Sequence, residues 1–369
     1  MLLRAICALV LLCIVVAGLW PFHAPRNEVI WLGQEDAVFF GRHGSIASAR
    51  PLIADPKRAD SSGSLQIWLE PTRVHSSATI LGFYQPESRV SSFALRQSLG
   101  DLVLQRTTQN EAGQAKTVKI YIDDVLSHRK PVLVTISSNQ SCTTVFVGGS
   151  VVRKLENFKL SSRDLVGRLV VGNSPATTHS WSGQLKGLAL YDRELTADEV
   201  AQSFTDWTNS KHPDLTPSEG AVALYRFDER HGDVVHNQMD SATDLLIPEF
   251  FFVLHKQFLE RPWDEFRPDR NYWRDVGINV AGFVPLGFFF YAYFSSLRRI
   301  EHPVAITIAL GFAVSLTIEV LQAYLPTRDS GMTDVITNTL GTSIGVMAFR
   351  HKVVQAVLAA AGLRIERRT

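Results

Sequence analysis

Two apolar stretches, "DVGINVAGFVPLG" (275–287) and "DVITNTLGTSIG" (334–345), each open on an aspartate, place an asparagine four residues on and a glycine three beyond that. On an α-helix such positions share one face, so Asp275, Asn279 and Gly282 align, as do Asp334, Asn338 and Gly341. A third apolar segment between them carries Glu319 and Gln322 at i, i+3, with Arg328 just beyond its end. Buried acids and amides are costly without partners, and inside a membrane they ordinarily serve a function. Two chemistries fit. One is a polar pocket for a ligand, formed by Asp275, Asn279, Glu319, Gln322, Arg328, Asp334 and Asn338, in which Glu319 or Asp334 could act as general acid or base. The other is a hydrogen-bonded clasp that locks three helices, with Arg328 neutralising one acid. A divalent cation could bind such carboxylates, but Arg328 competes for the same charge, and neither a metal nor another cofactor is expected.

Gly282, Gly287, Gly341 and Gly345 are the positions where small residues would let helices approach closely. Pro285 either kinks its helix or breaks it into an unwound segment lining the pocket. The elements that must position these residues are membrane spans: 275–297, 303–325 and 332–349, each apolar and about long enough to cross a bilayer. A fourth, "LLRAICALVLLCIVVAGLW" (2–20), has Arg4 before its core and a Trp-Pro exit. It reads as an uncleaved anchor, with a cleavable signal peptide as the rival. Arg298 and Arg299 in one short loop, and Arg350 and Lys352 after the last span, belong in the cytoplasm by the positive-inside rule, which sets the large middle part of the chain and the loop 326–334 outside.

The chain has 369 residues and formal net charge +1, which gives no charge bias toward nucleic acid and leaves room for two domains. Cys7 and Cys13 lie in the first span and only Cys142 outside it, so neither an internal disulfide nor a cysteine metal site is expected. Between residues 28 and 205 the periodicity is two: "SLQIWLEP" (64–71), "KIYIDD" (119–124), "PVLVTIS" (131–137), "TTVFVGG" (143–149) and "GRLVVGN" (167–173) are short β-branched or aromatic runs bounded by turn residues. That pattern predicts an all-β sandwich. One helix is predicted there, where Thr196 and Glu199 form a capping box in "LTADEVAQSF". No paired carboxylates of the glycosidase kind appear on one strand, and Asp123 and Asp124 read as a turn.

"GRLVVGNSP" and "SWSGQLKGLALYDRELTADEVAQSF" (180–204), with the "LQIWLEP" opening, resemble laminin-G-like, concanavalin A-like jelly rolls. The resemblance implies a domain that binds carbohydrate or protein, and in some relatives a glycanase. "ALYRFDERHG" (223–232) also resembles a strand of that family, so 221–248 either completes the sandwich or leads into the membrane. The stretch 247–275 mixes aromatic residues with Lys256, Arg261, Arg267, Arg270 and Arg274, and with Glu260, Asp264, Glu265 and Asp269. An interfacial helix is expected there, and its cations could hold lipid phosphates or merely pair with those four acids.

Asp275, the run Asn279 to Phe288, Glu319, Gln322, Pro326, Arg328, Asp334, Asn338, Gly341 and Gly345 closely resemble the motifs of the VanZ-like bacterial membrane proteins. That resemblance implies a cell-envelope protein in a family with a member linked to teicoplanin resistance, and it implies no particular reaction. The expected architecture is therefore multidomain: an anchor (1–27), an all-β jelly roll (28–210), a linker (211–262) with an extra strand or interfacial helix, an α-helical VanZ-like bundle (263–350), and a cytoplasmic tail (351–369). The expected protein sits in the bacterial inner membrane with its β domain extracytoplasmic. Its expected partners are the lipid bilayer and a glycan or lipid-linked envelope precursor, with no nucleic acid. The alternatives are a membrane enzyme acting on a lipid-linked sugar or phosphate through Glu319 and Asp334, and a structural anchor displaying a binding domain.

Overall fold

The computed structural model describes residues 1–53, 62–85, 90–109, 115–176, 179–209, 220–256, 258–266 and 270–360. The polar stretch at 210–219, Arg267 and Asp269, and the basic end of the tail lie outside the described residues. The chain divides into two compact units, Pro25–His255 and Met1–Ala24 with Lys256–Thr369.

Alternation of apolar and polar residues builds the first unit into two eight-stranded antiparallel sheets. One runs β1 (Val29–Trp31), β2 (Val38–Phe40), β13 (Gly183–Tyr191), β4 (Gly63–Pro71), β9 (Val132–Ser138), β10 (Thr143–Val147) and β11 (Ser150–Leu155), with β14 (Ala221–Tyr225) also paired to β13. The other runs β15 (Val234–Val235), β16 (Leu245–Leu246), β3 (Ile46–Ser48), β12 (Arg168–Val171), β5 (Ser77–Gln85), β6 (Val90–Ser98), β7 (Asp101–Gln109) and β8 (Ala115–Ile122). Every second residue of β4 (Leu65, Ile67, Leu69) meets Leu81, Phe83, Leu95 and Leu104 from the opposite sheet in one continuous core. Trp181 is sealed in that core, and its indole N–H donates to Gln97 Oε1 at 2.9 Å, which satisfies the one polar atom it buries.

The predicted helix is α2 (Ala197–Thr208), and its capping box forms as expected: Thr196 Oγ1 accepts from the Glu199 N–H, while Glu199 reaches back to the Thr196 N–H at 2.7 Å. Its apolar face sets Val200 and Trp207 against Leu133, Phe146 and Tyr191 in a second cluster. Segment 221–248 completes both sheets, through β14 on β13 and through β15 and β16 on β3. Asp124 lies in a turn with φ of 58°, its N–H held by Asp101 Oδ1.

In the second unit the helices are α1 (Leu2–Leu19), α3 (Pro262–Glu265), α4 (Arg270–Ser296), α5 (Pro303–Gln322), α6 (Met332–Arg350) and α7 (Lys352–Ala360). Among the described residues three helices are long and apolar enough to cross a membrane: Leu2–Leu19, Tyr272–Ser296 and Pro303–Gln322. The fourth expected span, α6, is too polar to qualify by composition. Its 19 residues nonetheless reach roughly 28 Å. The polar residues are turned inward: Thr337, Asn338, Gly341, Thr342 and Gly345 are buried, whereas Met332, Ile336, Leu340, Ile344 and Met347 form an exposed apolar stripe. Such a helix suits lipid outside and polar partners inside.

The expected interfacial helix does not form. Among the described residues from Ile247 to Arg261 there is no helix, and only the single turn of α3 follows. Prolines at 248 and 262 punctuate the segment, and the backbone of Glu260 instead pairs with the strand-like approach to α6, at Ser330 and Met332.

Candidate functional site

Helices α4 and α6 touch along backbone. A Cβ at Gly341 would collide with the Val280 carbonyl, one at Gly345 with the Val284 carbonyl, and one at Gly287 with the Thr342 carbonyl. These three glycines are the close approach, as small residues are in membranes. Gly282 corrects the pattern, because nothing lies within 4 Å of its would-be Cβ. Helical phase puts it on the face of α4 turned away from α6. Pro285 lies inside a continuous α4, so the unwound segment does not form.

The acids and amides come together through these contacts. Asn279 Nδ2 donates to Asp334 Oδ1 at 2.7 Å, so the asparagine of one motif meets the aspartate of the other. Asn338, one turn deeper, donates to Ser315 Oγ of α5 at 2.9 Å, and its own Oδ1 is buried without a partner among the described residues. Glu319 is 1% exposed. Its Oε2 accepts the N–H of Gly331, the residue that caps α6, at 2.9 Å, and Ser330 Oγ donates to its carbonyl. Glu265, which no sequence signal marked, accepts the Thr333 N–H at 3.0 Å. Two carboxylates thus occupy the N-terminus of α6, where free N–H groups and the helix dipole favour negative charge.

Two residues of the set serve elsewhere. Arg328 was expected to offset an acid, and it does not: its Nε donates to the Trp20 carbonyl at 3.1 Å, and its Nη2 reaches the Trp20 and Ala17 carbonyls. Gln322 Nε2 donates to the Gly18 carbonyl at 2.7 Å. Together they cap the C-terminus of α1, where backbone carbonyls have no helical partner and a cation is favourable. Asp275 stays at the surface, with its side chain 60% exposed and paired to Arg274. Lys256 performs the same service for α5, donating to the Gln322 and Leu325 carbonyls, and burial pushes its ammonium down to about 8.

Glu319 and Asp334 therefore stand with hydrogen-bond donors and no ion-pair partner among the described residues. No group of three or more His, Cys, Asp or Glu side chains among them has metal-binding geometry. Ser315 was legible in principle, since it shares the α5 face of Glu319 and Gln322 at i−4; Glu265, Ser330 and Lys256 are brought in by tertiary contacts between distant segments.

A β sandwich and a helical bundle with polar residues inside and apolar ones outside define a multidomain membrane protein. Residues 222–355 match the VanZ/LLP1 family model, and residues 44–201 match that of the concanavalin A-like lectin/glucanases superfamily, so the chain joins a VanZ-like region to a laminin-G-like β domain. Among solved structures, a botulinum neurotoxin type G receptor-binding domain is similar at 14% identity and TM-score 0.35, over 49% of this chain and 45% of that one. A Ruminococcus gnavus sialidase CBM40 bound to α2,3-sialyllactose is similar at 16% identity and TM-score 0.32, over 40% of this chain and 85% of that one. The chain thus spans less than half the length of the neurotoxin domain. No curated protein matches.

Proposed function

We propose that the chain is a bacterial cell-envelope protein of the inner membrane. Its β domain, on the extracytoplasmic side, binds a carbohydrate or related envelope polymer, and its helical unit holds the polar head of an amphiphilic envelope molecule at Glu319 and Asp334. The observation that carries the membrane half is the pair of buried acids with no direct ion pair among the described residues, the Lys256 ammonium near Glu319 being spent on the Gln322 and Leu325 carbonyls: each ionised carboxylate in such a place is costly, and a donor-bearing head group would supply a direct partner. The two family matches support the pairing of the halves.

A second reading covers the remaining residues of the set. Asn279, Asn338, Gln322 and Arg328 already have partners within the chain, which favours a clasp in which these four hold α1, α4, α5 and α6 together. Lipid extraction and mass spectrometry of the purified full chain separates the two roles. Glu319→Gln and Asp334→Asn keep shape and are expected to leave membrane abundance unchanged while a co-purifying amphiphile is lost. Asn338→Leu and Arg328→Gln are expected to lower abundance. An identical set of bound lipids in wild type and both acid variants would remove the head-group role. Teicoplanin susceptibility of cells expressing the same variants tests whether that role extends to glycopeptide resistance. Orientation is tested by reporters fused after Arg299, expected cytoplasmic, and after Asn209, expected exported; both on one side would overturn the topology.

A further inference from the structure

The outward face of the second sheet carries a feature that the β-domain fold does not require. Strands β6, β7 and β8 send Leu95, Leu104 and Ile120 toward the core. Their alternate residues point the other way in two rows, Arg96–Val103–Tyr121 and Ala94–Gln105–Lys119. Ala94 and Val103 are small residues buried beneath their neighbours on this face, and Pro175 covers Gly82 beside Ala94 so closely that a Cβ there would press on the proline ring. Around Ala94 and Val103 stand Arg96, Gln105, Lys119 and Tyr121. The register sets Arg96 and Tyr121 two strands apart, roughly 10 Å.

Arg96 has five N–H donors. One meets Gln105 Oε1 at 3.3 Å, a neutral acceptor, and no carboxylate pairs with the guanidinium among the described residues. The side chain is half-buried, and burial lowers its pKa from the ordinary value. Elsewhere in this unit Arg106 pairs with Asp164 at 2.9 Å and Lys186 with Glu35, whereas Arg168 and Arg226, also half-buried, have no carboxylate partner among the described residues. Gln105, with its oxygen turned to Arg96, leaves its amide N–H groups free to donate. Tyr121 is 45% exposed, and its backbone carbonyl is anchored by Arg153 at 2.6 Å, which fixes the ring's strand. Lys119 adds a second, exposed cation.

A half-buried planar cation without a carboxylate partner, an amide donor, an ammonium and an aromatic ring on one sheet face match a sugar that carries a carboxylate. The guanidinium fork fits a carboxylate with two parallel hydrogen bonds, and the ring offers an apolar face with a polar tip. We propose that this sheet face is a binding site for a carboxylate-bearing saccharide, with Arg96 on the carboxylate and Gln105, Lys119 and Tyr121 around the ring. It rests on the reading of the β domain as a carbohydrate binder and names its ligand class. Two kinds of acidic sugar share this chemistry, a nonulosonate and a uronate.

Isothermal titration of the full chain in detergent against 3′-sialyllactose, tri-galacturonate and neutral lactose tests it. One or both acidic sugars are expected to bind at least about tenfold more tightly than lactose, the scale of a charged hydrogen bond; the tighter of them names the source. Arg96→Gln is expected to erase that difference, and Arg96→Lys to restore only part of it because the fork is gone. Arg129→Gln, an exposed control, is expected to leave it intact, and the melting temperature of each variant reports folding. Equal affinity for lactose and both acidic sugars would overturn the carboxylate site while leaving carbohydrate binding in place. Equal losses from Arg96→Gln and Arg129→Gln would assign the effect to diffuse charge and overturn the site. Absence of binding to all three sugars would overturn both the site and the carbohydrate reading on which it rests.

Discussion

The two units solve the burial problem in opposite senses. In the β unit Leu65, Phe83, Trp181 and their neighbours are sealed inside, and edge strands such as β8 present Lys116, Thr117 and Lys119 to water. In the helical unit Glu319, Asn338, Thr342 and Ser315 are inside, and Leu340, Ile344 and Met347 are outside. Water drives the first arrangement, because removing apolar surface from it is favourable. In lipid that force between helices is gone, so close backbone contact at Gly287, Gly341 and Gly345 and hydrogen bonds such as Asn279 to Asp334 must hold the bundle. Polarity of the exposed surface therefore reports which solvent each unit is built for.

The same kind of substitution should give opposite results in the two units. Leu340→Lys puts a charge on the exposed apolar stripe of α6 and is expected to cost about 3 kcal/mol near the bilayer centre, read as loss of membrane-integrated, protease-resistant chain. Val152→Lys on β11 replaces an equally exposed apolar residue and should change stability by no more than about 0.5 kcal/mol in thermal melts. If Leu340→Lys were as mild, α6 would not face lipid and the contrast would fail.

A second pair of variants sharpens the comparison within the bundle. Gly341→Ala forces a methyl group against the Val280 carbonyl and should destabilise by about 2 kcal/mol. Gly282→Ala, with open space around it, should be neutral or slightly stabilising, since alanine is the better helix former. Detergent melts of the two variants, expected to separate clearly, check this.

In the β unit, where packing dominates, a cap matters less than a close helix contact does in the bundle. Thr196→Ala should cost about 1 kcal/mol, measured as a shift in the melt. The smallest effect is the pH dependence of the same box. The hydrogen bond and charge of Arg193, with help from the Thr196 N–H and hydroxyl, hold the Glu199 carboxyl down to about 2 from its ordinary 4.5. Its folded value is depressed, so its stabilisation is complete above about 4.5 and declines as pH falls toward 2. The melting difference between wild type and Glu199→Gln should therefore be constant from pH 7 to 5 and shrink between pH 4.5 and 3.

Much of this was legible in the chain. Alternating runs at 64–71, 131–137 and 143–149 became β4, β9 and β10, because a strand buried on one face must repeat every two residues. The capping box was readable because its partners are three residues apart. The duplicated D-V-x-x-N-x-x-G motif placed both acids and both asparagines on helix faces, since helical phase is a local property. The interfacial helix was misread because aromatic and basic composition does not reveal that Glu260 pairs with residues seventy positions away.

Local spacing thus determined which residues share a face, which segments are strands or spans, and which two kinds of domain the chain joins. Only the tertiary structure decided how those faces were paired. It crossed the repeats, so that Asn279 meets Asp334 while Asp275 stays at the surface, and it sent Arg328 and Gln322 to the open carbonyls of α1. It also left Gly282 without a neighbour while its counterpart Gly341 meets backbone. Those choices depend on where unpaired carbonyls and N–H groups end up in space, and helix ends three hundred residues apart in sequence have no shared pattern from which that meeting can be read.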